Sequence, residues 1–292
     1  MRLSSGRALL PLLLGALFYA LSFARHVDVL RQSQNVARKH NILAARAGPT
    51  CRSVCGANPQ NSVRRQIPEI PNNLVARVLD PISNDQLTTY LINTINDLGT
   101  TKIYDPDESQ TNTAGFTRLA RRVVRVGLRR LCGCTAMVIV HPKGVYYAHF
   151  FEDQSHGIED GVDLFQVKVL DLLGNGEKPF FLSLGSARNP LNSAETRVYI
   201  MTPLSDDPDL AARGIFQYAE DIPRLLQGIR DILPNVLDPT VRGYAALDHE
   251  IKEQNDELDN SFRGRILFEY DPTGAVPQSR LFFEDQVMFE QL

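Results

Sequence analysis

The sequence predicts an α+β protein built around a largely antiparallel sheet. Two observations lead to this fold class: strand-forming runs outnumber helical runs near the middle and the end of the chain, and two of these runs are joined by a hairpin turn. The length of 292 residues is enough for one large domain or two modest ones. No internal repeat or linker interrupts the chain after about Asn73, so we predict a single domain over 73–292.

Composition and charge exclude several classes of function. The hydrophobic content of 43% and the charged content of 22% are those of an ordinary globular protein. The net charge of −3 lacks the basic excess that phosphate contact needs, so we predict no nucleic-acid partner. The spacings of zinc sites and of phosphate-binding glycine loops do not occur in the sequence, so we expect neither a metal ion nor a cofactor.

Residues 1–24 have the pattern of a secretory signal peptide. Two arginines begin the segment, an apolar run covers 8–21, and small residues follow at Ser22 and Ala24, where a signal peptidase would cleave. We therefore predict a secreted protein with no stable membrane association after cleavage. An uncleaved membrane anchor or a buried helix is the alternative, although the run is shorter than the roughly 20 residues of a spanning helix.

The segment 25–72 is expected to be weakly ordered, since it is polar and contains the proline-rich run Ile67–Pro71. Cys51 and Cys55 lie four residues apart within it. In an oxidising compartment we expect these two cysteines to form a local disulfide, and two separate thiols are the alternative.

Helical spacing predicts the first elements of the folded part. Apolar residues recur at helical intervals along 83–98, and Ser83 is a good N-cap. Residues 102–115 are polar and turn-rich, which indicates a loop. Six arginines follow within the thirteen residues 118–130. We interpret 116–130 as a solvated helix face that gains strand character at its end. The alternative is a basic surface for a membrane or a partner. The predicted core stripe of this helix is Leu119, Val123 and Val126.

Strand runs dominate the rest of the chain. Thr135–Val140 and Val145–Phe151 are rich in β-branched and aromatic residues, and the intervening His141-Pro142-Lys143-Gly144 has the Pro and Gly that a type I turn favours. The apolar periodicity of 218–233 predicts an amphipathic helix, which Pro234 ends. Residues 250–259 are predicted to form a charged helix on the surface. Further strands are predicted at 180–184, 197–201, 265–269 and 280–284.

The predicted hairpin brings a cysteine and a histidine together. A turn over 141–144 places His149 opposite Ala136. Because side chains alternate between the two faces of a strand, Cys134 and His149 then share one face as diagonal neighbours, roughly 7–8 Å apart between backbones. A change of one residue in the loop would put them on opposite faces.

This placement suits a thiolate–imidazolium pair. The Cys134 thiolate would be the nucleophile, and the His149 imidazolium would lower the pKa of the thiol from its free value near ~8.5. Gly133 is small enough to let a substrate amide approach, and backbone amides at the strand start, near Thr135, could hold an oxyanion. The residues near enough in the chain to orient the imidazole are Glu152, Asp153 and Ser155. From the residues alone, a core cysteine and a structural histidine remain the alternative.

A resemblance supports the catalytic interpretation. Leu131-Cys132-Gly133-Cys134 followed by His149 resembles the signature of the toxin deamidases typified by cytotoxic necrotizing factor and Burkholderia lethal factor, which carry Leu-Ser-Gly-Cys and a histidine on a following strand. The bacterial chemotaxis deamidase CheD has a related pair. Residues 133–140, 144–152 and 264–272 are also similar to a set of mostly fungal secreted proteins.

The resemblance implies a β-sandwich core wrapped by helices, and a toxin-like, secreted protein glutamine deamidase that works through a thioester. Cys134 would be the nucleophile and His149 the general base and acid, with a protein substrate and no cofactor. Cys132 departs from the family's serine, and this second thiol could form a redox lock with Cys134. The alternatives are a non-catalytic binding module on the same fold, a cysteine hydrolase of another amide or ester, and a thiol–disulfide role for the two cysteines.

Overall fold

The computed structural model describes residues 79, 82–97, 101–104, 112–247 and 251–291. The predicted signal peptide at 1–24, the segment 25–72 and the candidate disulfide between Cys51 and Cys55 lie outside the described residues. In chain order the helices and strands are α1 (Asn84–Asn96), β1 (Thr101–Tyr104), β2 (Thr113–Arg118), β3 (Val124–Leu128), β4 (Thr135–His141), β5 (Gly144–Phe150), α2 (Glu152–Ser155), β6 (Ile158–Glu159), β7 (Val162–Asp163), a π-helical turn (Gln166–Leu170), α3 (Asp171–Asn175), α4 (Leu184–Leu191), β8 (Arg197–Pro203), α5 (Pro208–Ala212), α6 (Asp221–Ile232), β9 (Thr240–Tyr244), α7 (Lys252–Asn260), β10 (Ile266–Asp271), β11 (Gln278–Phe283) and β12 (Gln286–Gln291).

Two five-stranded sheets carry most of the strands. The first has the order β1-β3-β10-β11-β12, and the second has the order β2-β5-β4-β8-β9. One pair in each sheet is parallel, β1 with β3 and β8 with β9, and the other neighbours are antiparallel. The predicted α+β class with a largely antiparallel sheet is therefore confirmed.

The inner faces of the two sheets form one apolar core. Val138 and Tyr147 of the second sheet share a buried cluster with Val126 and Phe268 of the first sheet. Burial of side chains of this size is the main favourable contribution to folding, at about 1.5–3 kcal/mol for each. This cluster also contains Cys134, so the site lies at the level of the sandwich interior.

Helices cover the outer faces of both sheets. Met137 and Phe150 on the outer face of the second sheet pack with Leu225 of α6. On the first sheet, Leu91 of α1 packs against Leu267 of β10. A sandwich wrapped by helices results, as the resemblance implied. No helix within the described ranges is long and apolar enough to cross a membrane.

The register of the β4–β5 hairpin confirms its prediction. His141 pairs with Gly144, and Ala136 pairs with His149. The turn residues Pro142 and Lys143 therefore set the alternation of side chains along both strands. The strand at 197–201, the helix at 218–233 and the pairing of 265–269 with 280–284 are also present, as β8, α6 and the β10–β11 pair.

Three element predictions are wrong. Residues 116–130 form the end of β2 and the whole of β3 instead of a helix: Val124, Val126 and Leu128 enter the interior core with the period of a strand, whereas Val123 is exposed. The predicted loop at 102–115 includes parts of β1 and β2, because pairing with neighbouring strands satisfies its polar backbone. The predicted strand at 180–184 makes only isolated bridges at Phe181 before α4 begins.

Candidate active site

Cys134 lies immediately before β4, at the end of the second sheet where β5, β8 and β9 also terminate. Two contacts fix the backbone here. Tyr244 Oη donates a hydrogen bond to the Cys134 carbonyl oxygen at 2.9 Å, and the hydroxyls of Thr135 and Thr202 lie 3.0 Å apart. The start of β4 is thus attached through side chains to both strands beyond it in the sheet. Thr135, predicted to support the site through its backbone, also anchors β4 to β8.

Cys134 and His149 share the inner face of the second sheet. His149 pairs with Ala136, whose inner-face neighbour along the chain is Cys134, so the two residues are diagonal neighbours across the hairpin. Both are buried, with exposed fractions of 2% for Cys134 and 1% for His149. The His149 ring lies 4.6 Å from the ring of Phe151, which limits its rotation.

Glu152 begins α2 directly after β5, and its carboxylate reaches Gly133. A Cβ atom at position 133 would lie only 1.9 Å from Glu152 Oε2, so a glycine is needed for this close approach. The other carboxylate oxygen, Oε1, accepts hydrogen bonds from Tyr218 Oη and, at 2.9 Å, from Gln217 Nε2. The carboxylate of Glu152 therefore lies against the residue that precedes the candidate nucleophile.

Burial strongly raises the pKa values of the two tyrosines of the site, Tyr218 and Tyr244. Burial, the charge of Glu152 and its hydrogen bond, and the nearby Cys134 together hold the pKa of Tyr218 well above its ordinary value. Burial likewise raises the pKa of Tyr244, with the two cysteines adding to the effect. Both phenols therefore stay protonated and act as hydrogen-bond donors at neutral pH.

A second imidazole supports Tyr218 from behind. The rings of His156 and Tyr218 stack in parallel, with centroids 3.5 Å apart and an interplanar angle of 2°. His156 Nδ1 lies 2.8 Å from Asp221 Oδ2, and Asp221 also receives Arg224 Nη1 at 3.0 Å. The ring of Tyr218, and with it the hydroxyl that holds Glu152, is fixed by this arrangement.

Gln217 is the last residue of a loop that is closed at its base, and Tyr218 follows it directly. The Gln217 amide donates to the Pro203 carbonyl at 3.0 Å, and the Leu204 amide donates to the Tyr244 carbonyl at 2.8 Å. Residues 204–217, which include α5, thus leave and rejoin the second sheet beside Cys134. We call this segment the 204–217 loop.

The remaining predicted site residues have structural partners. Ser155 is buried and donates to Asn112 Oδ1 at 3.1 Å, and the Phe151 amide donates to the same oxygen at 2.7 Å. Cys132 packs with Leu247 and Leu258, and neither Cys132 nor Cys134 forms a disulfide. Asn112, which precedes β2, therefore holds both ends of α2, through the Phe151 amide at its start and Ser155 at its end.

Within the part of the chain that the structure describes, no group of three or more His, Cys, Asp or Glu side chains could hold a metal ion.

Sequence reasoning missed Gln217, Tyr218 and Tyr244. These residues lie 67 to 94 positions after Phe150, the last residue of the hairpin, and no local pattern connects them with it. The only signal was indirect: Tyr218 stands at the start of a predicted amphipathic helix, and helix starts lie near loops that carry function. Their role follows from the order of strands in the second sheet, which places β8 beside β4 and β9 beside β8, so that the ends of both strands lie near Cys134.

Comparison with solved structures gives a weak likeness. No known protein family matches the chain, and no curated protein sequence matches it. The C-terminal domain of CNFy from Yersinia pseudotuberculosis is similar in structure with a TM-score of 0.27 and 11% sequence identity, over 65% of this chain and 60% of that chain. A likeness this weak supports at most a distant relationship and carries no functional conclusion.

Proposed function

We propose that this protein is a secreted, cysteine-dependent protein glutamine deamidase with Cys134 as the nucleophile and His149 as the general base and acid. The observation that supports this proposal is the hairpin register, which puts the two residues on one face at the end of the second sheet. A thiol and an imidazole in this relation are the parts that acyl transfer requires. The sequence resemblance to Leu-Ser-Gly-Cys deamidases supports the same chemistry.

The reaction has two stages. In the first, His149 takes the proton of the Cys134 thiol, and the thiolate attacks the side-chain carbonyl carbon of a glutamine. The carbon–nitrogen bond then breaks, and ammonia leaves with the proton that the imidazolium returns. In the second stage, water gives a proton to His149 and attacks the thioester carbon. The carbon–sulfur bond breaks, and the imidazolium returns its proton to the departing sulfur, which releases glutamate and regenerates the thiol and the neutral imidazole.

The burial of Cys134 favours a side-chain amide over a peptide bond as the substrate. A peptide bond is flanked by two Cα atoms with their substituents and needs a wide cleft. A glutamine carboxamide stands at the end of two methylene groups and enters a narrow opening. Because Cys134 is only 2% exposed, a glutamine carboxamide fits this site better than a peptide bond does. We therefore propose a protein partner that offers an exposed glutamine, and neither a nucleic acid nor a membrane.

Mass spectrometry of protein substrates tests the proposed reaction. The full chain should raise the mass of single glutamines in a target protein by about 1 Da, because an amide nitrogen is replaced by oxygen. The Cys134→Ser and His149→Ala variants should not. Cleavage of the target backbone by the wild type would instead indicate a peptidase, and the absence of both products from a broad set of targets would contradict the proposal.

Alkylation of Cys134 tests the pair without knowledge of the target. Near pH 6, iodoacetamide should label Cys134 of the wild type on the order of tenfold faster than Cys134 of His149→Ala, since each pKa unit changes the thiolate fraction by about a factor of ten. Peptide mass spectrometry distinguishes Cys134 from Cys132. Equal rates in the two proteins would contradict an activated thiol.

A non-catalytic binding module is the second candidate function. The observation in its favour is that Cys134 belongs to the buried apolar cluster between the sheets. A thiol in such surroundings is inert because burial disfavours the thiolate. Under this alternative, the wild type and His149→Ala would show the same slow alkylation of Cys134 and the same binding to a partner.

A further inference from the structure

We infer that Gly133, Gln217 and Tyr218 form a subsite for a primary carboxamide, and that the side chain of Glu152 occupies this subsite in the structure. The inference rests on the proposed function, because it names the place where the substrate amide would bind next to Cys134. It goes beyond that function because it assigns the recognition of the amide to the 204–217 loop and Tyr218, and it gives Glu152 the role of an internal occupant.

Two hydrogen-bond donors of the subsite converge on one oxygen. Tyr218 Oη and Gln217 Nε2 both donate to Glu152 Oε1, the latter at 2.9 Å. Two donors aimed at a single oxygen are what a carbonyl oxygen of a bound acyl group requires. Burial keeps the pKa of Tyr218 high, so its hydroxyl remains a donor when the carboxylate is absent.

The subsite also contains a hydrogen-bond acceptor, the side-chain oxygen of Gln217, which receives no hydrogen bond from the described residues. Gln217 Oε1 is buried and has no hydrogen-bond partner among the described residues. The orientation of this amide is set by its surroundings, because Nε2 faces the carboxylates of Glu152 and, at 3.5 Å, Asp206. A carboxylate can only accept hydrogen bonds, so Glu152 cannot satisfy Gln217 Oε1. The NH₂ group of a carboxamide can donate to it.

The position of the occupant connects the subsite with the nucleophile. Glu152 Oε2 lies so close to Gly133 that a Cβ atom there would be 1.9 Å away, and Cys134 is the next residue. Glu152 belongs to the four-residue helix α2 and is only partly buried, whereas Cys134 is buried. Movement of one side chain toward solvent would therefore vacate the subsite beside the thiol.

Substitution of Glu152 separates occupancy from charge. Glu152→Ala removes both the charge and the bulk, whereas Glu152→Gln removes the charge and keeps the bulk. We expect Cys134 of Glu152→Ala to react with iodoacetamide, itself a primary carboxamide, on the order of tenfold faster than Cys134 of the wild type, and Glu152→Gln to give a much smaller gain. Glu159→Ala, which removes an exposed acid from β6, is the matched control and should leave the rate unchanged.

The donors are tested in the Glu152→Ala protein. Addition of Tyr218→Phe or Gln217→Ala should reduce the iodoacetamide rate by about 2- to 10-fold, the effect of one lost hydrogen bond. The rate with iodoacetate, whose carboxylate cannot donate to Gln217 Oε1, should fall less in the Gln217→Ala combination. Equal gains in Glu152→Ala and Glu152→Gln would overturn the inference, because charge alone would then control the thiol.

A competition experiment on the wild type tests the subsite even if the variants fail to fold. In the wild type acetamide competes with the Glu152 side chain for the subsite, so it should slow the alkylation of Cys134 only at high concentrations, and acetate at the same concentrations should have no effect. Equal effects of the two compounds over a titration to that range would overturn the inference. Alkylation requires no turnover, so its outcome is separate from that of the deamidase proposal. Protection by acetamide without any glutamine mass shift would retain the subsite and contradict the reaction.

Discussion

At the scale of single residues, Gly133 determines which groups can surround Cys134. The absence of a side chain lets the Glu152 carboxylate lie against the backbone one residue before the thiol. The backbone of Gly133 does not have a positive φ, so an L-residue would meet no conformational obstacle at this position. The requirement for glycine therefore comes from Glu152 alone.

The Gly133→Ala variant should be less stable than the wild type by about 1–3 kcal/mol, because the added methyl group overlaps the Glu152 carboxylate and forces it from its two donors. Chemical denaturation measures this difference. Gly174→Ala is the matched control, since a Cβ atom there meets no atom within 4 Å. It should be neutral or stabilising by up to about 1 kcal/mol. Equal stability of Gly133→Ala and the wild type would contradict the observed contact.

The predictability of the site differs between its residues. Cys134 and His149 could be placed from the sequence because a short turn fixes the parity of two adjacent strands, which is a local property. The partners of Glu152 could not, because Gln217 and Tyr218 reach it through the strand order of the second sheet. Ser155 was expected near the imidazole from its sequence proximity, yet it donates to Asn112.

At the scale of elements, α1 is attached to the first sheet through a buried ionic cluster. Glu269 of β10 has no exposed surface and receives Arg280 Nε at 2.8 Å, Arg125 Nε at 3.2 Å and Tyr90 Oη at 2.5 Å. A buried carboxylate with charged and hydroxyl donors on both oxygens has its desolvation offset. Tyr90 is the member that comes from α1, so this phenol connects the helix to the sheet.

Stability should fall as the pH rises from about 10 to 12, in part because of Tyr90. Burial and the charge of Glu269 raise the pKa of Tyr90 to about 12. The folded state thus holds the phenolic proton where the unfolded state has lost it, so this contribution is complete below pH 10 and disappears through pH 12. Urea unfolding at pH 9 and pH 11 should show a smaller loss for Tyr90→Phe than for the wild type. Identical losses would contradict this role.

Element predictions succeeded where the local sequence signals were unambiguous. The β4–β5 hairpin has two runs of β-branched and aromatic residues around a turn with Pro142 and Gly144, and α6 has a helical period that Pro234 ends. Residues 116–130 lack such signals, because the apolar positions there fit both the strand and the helix period and the arginines favoured a solvated helix. Residues 124–128 form a strand because they pair with β10, and β10 is too far away in the chain for a local pattern to reveal this pairing.

At the scale of the whole molecule, β4 is the central strand of the second sheet. It lies at the centre of the order β2-β5-β4-β8-β9, with the first sheet on one face and helices on the other. The α+β class could be predicted from the strand and helix patterns. The division of the strands between two sheets could not be predicted, and neither could the parallel pairing of β8 with β9. The sequence of a short strand does not specify which other strand it pairs with.

Hydrogen exchange should be much slower in β4 than in β12. β12 is the edge strand of the first sheet, and Val287 within it is 52% exposed, so its amides open without disruption of either core. Exchange measured by mass spectrometry on peptides covering 135–141 and 286–291 compares the two strands in one sample. Exchange in β4 as fast as in β12 would contradict the enclosed position of the hairpin.

The closed base of the 204–217 loop lets its sequence change at the far end while the β4–β5 hairpin stays unchanged. Both ends of the loop are bonded to the ends of β8 and β9, at Pro203 and Tyr244, and its far end around Gly214 is exposed. Insertions or exchanges near Gly214 can therefore alter which surfaces fit against the molecule while the hairpin stays in register. Under the proposed function, relatives that differ only around Gly214 would keep the residues beside Cys134 and diverge in the molecules that they select.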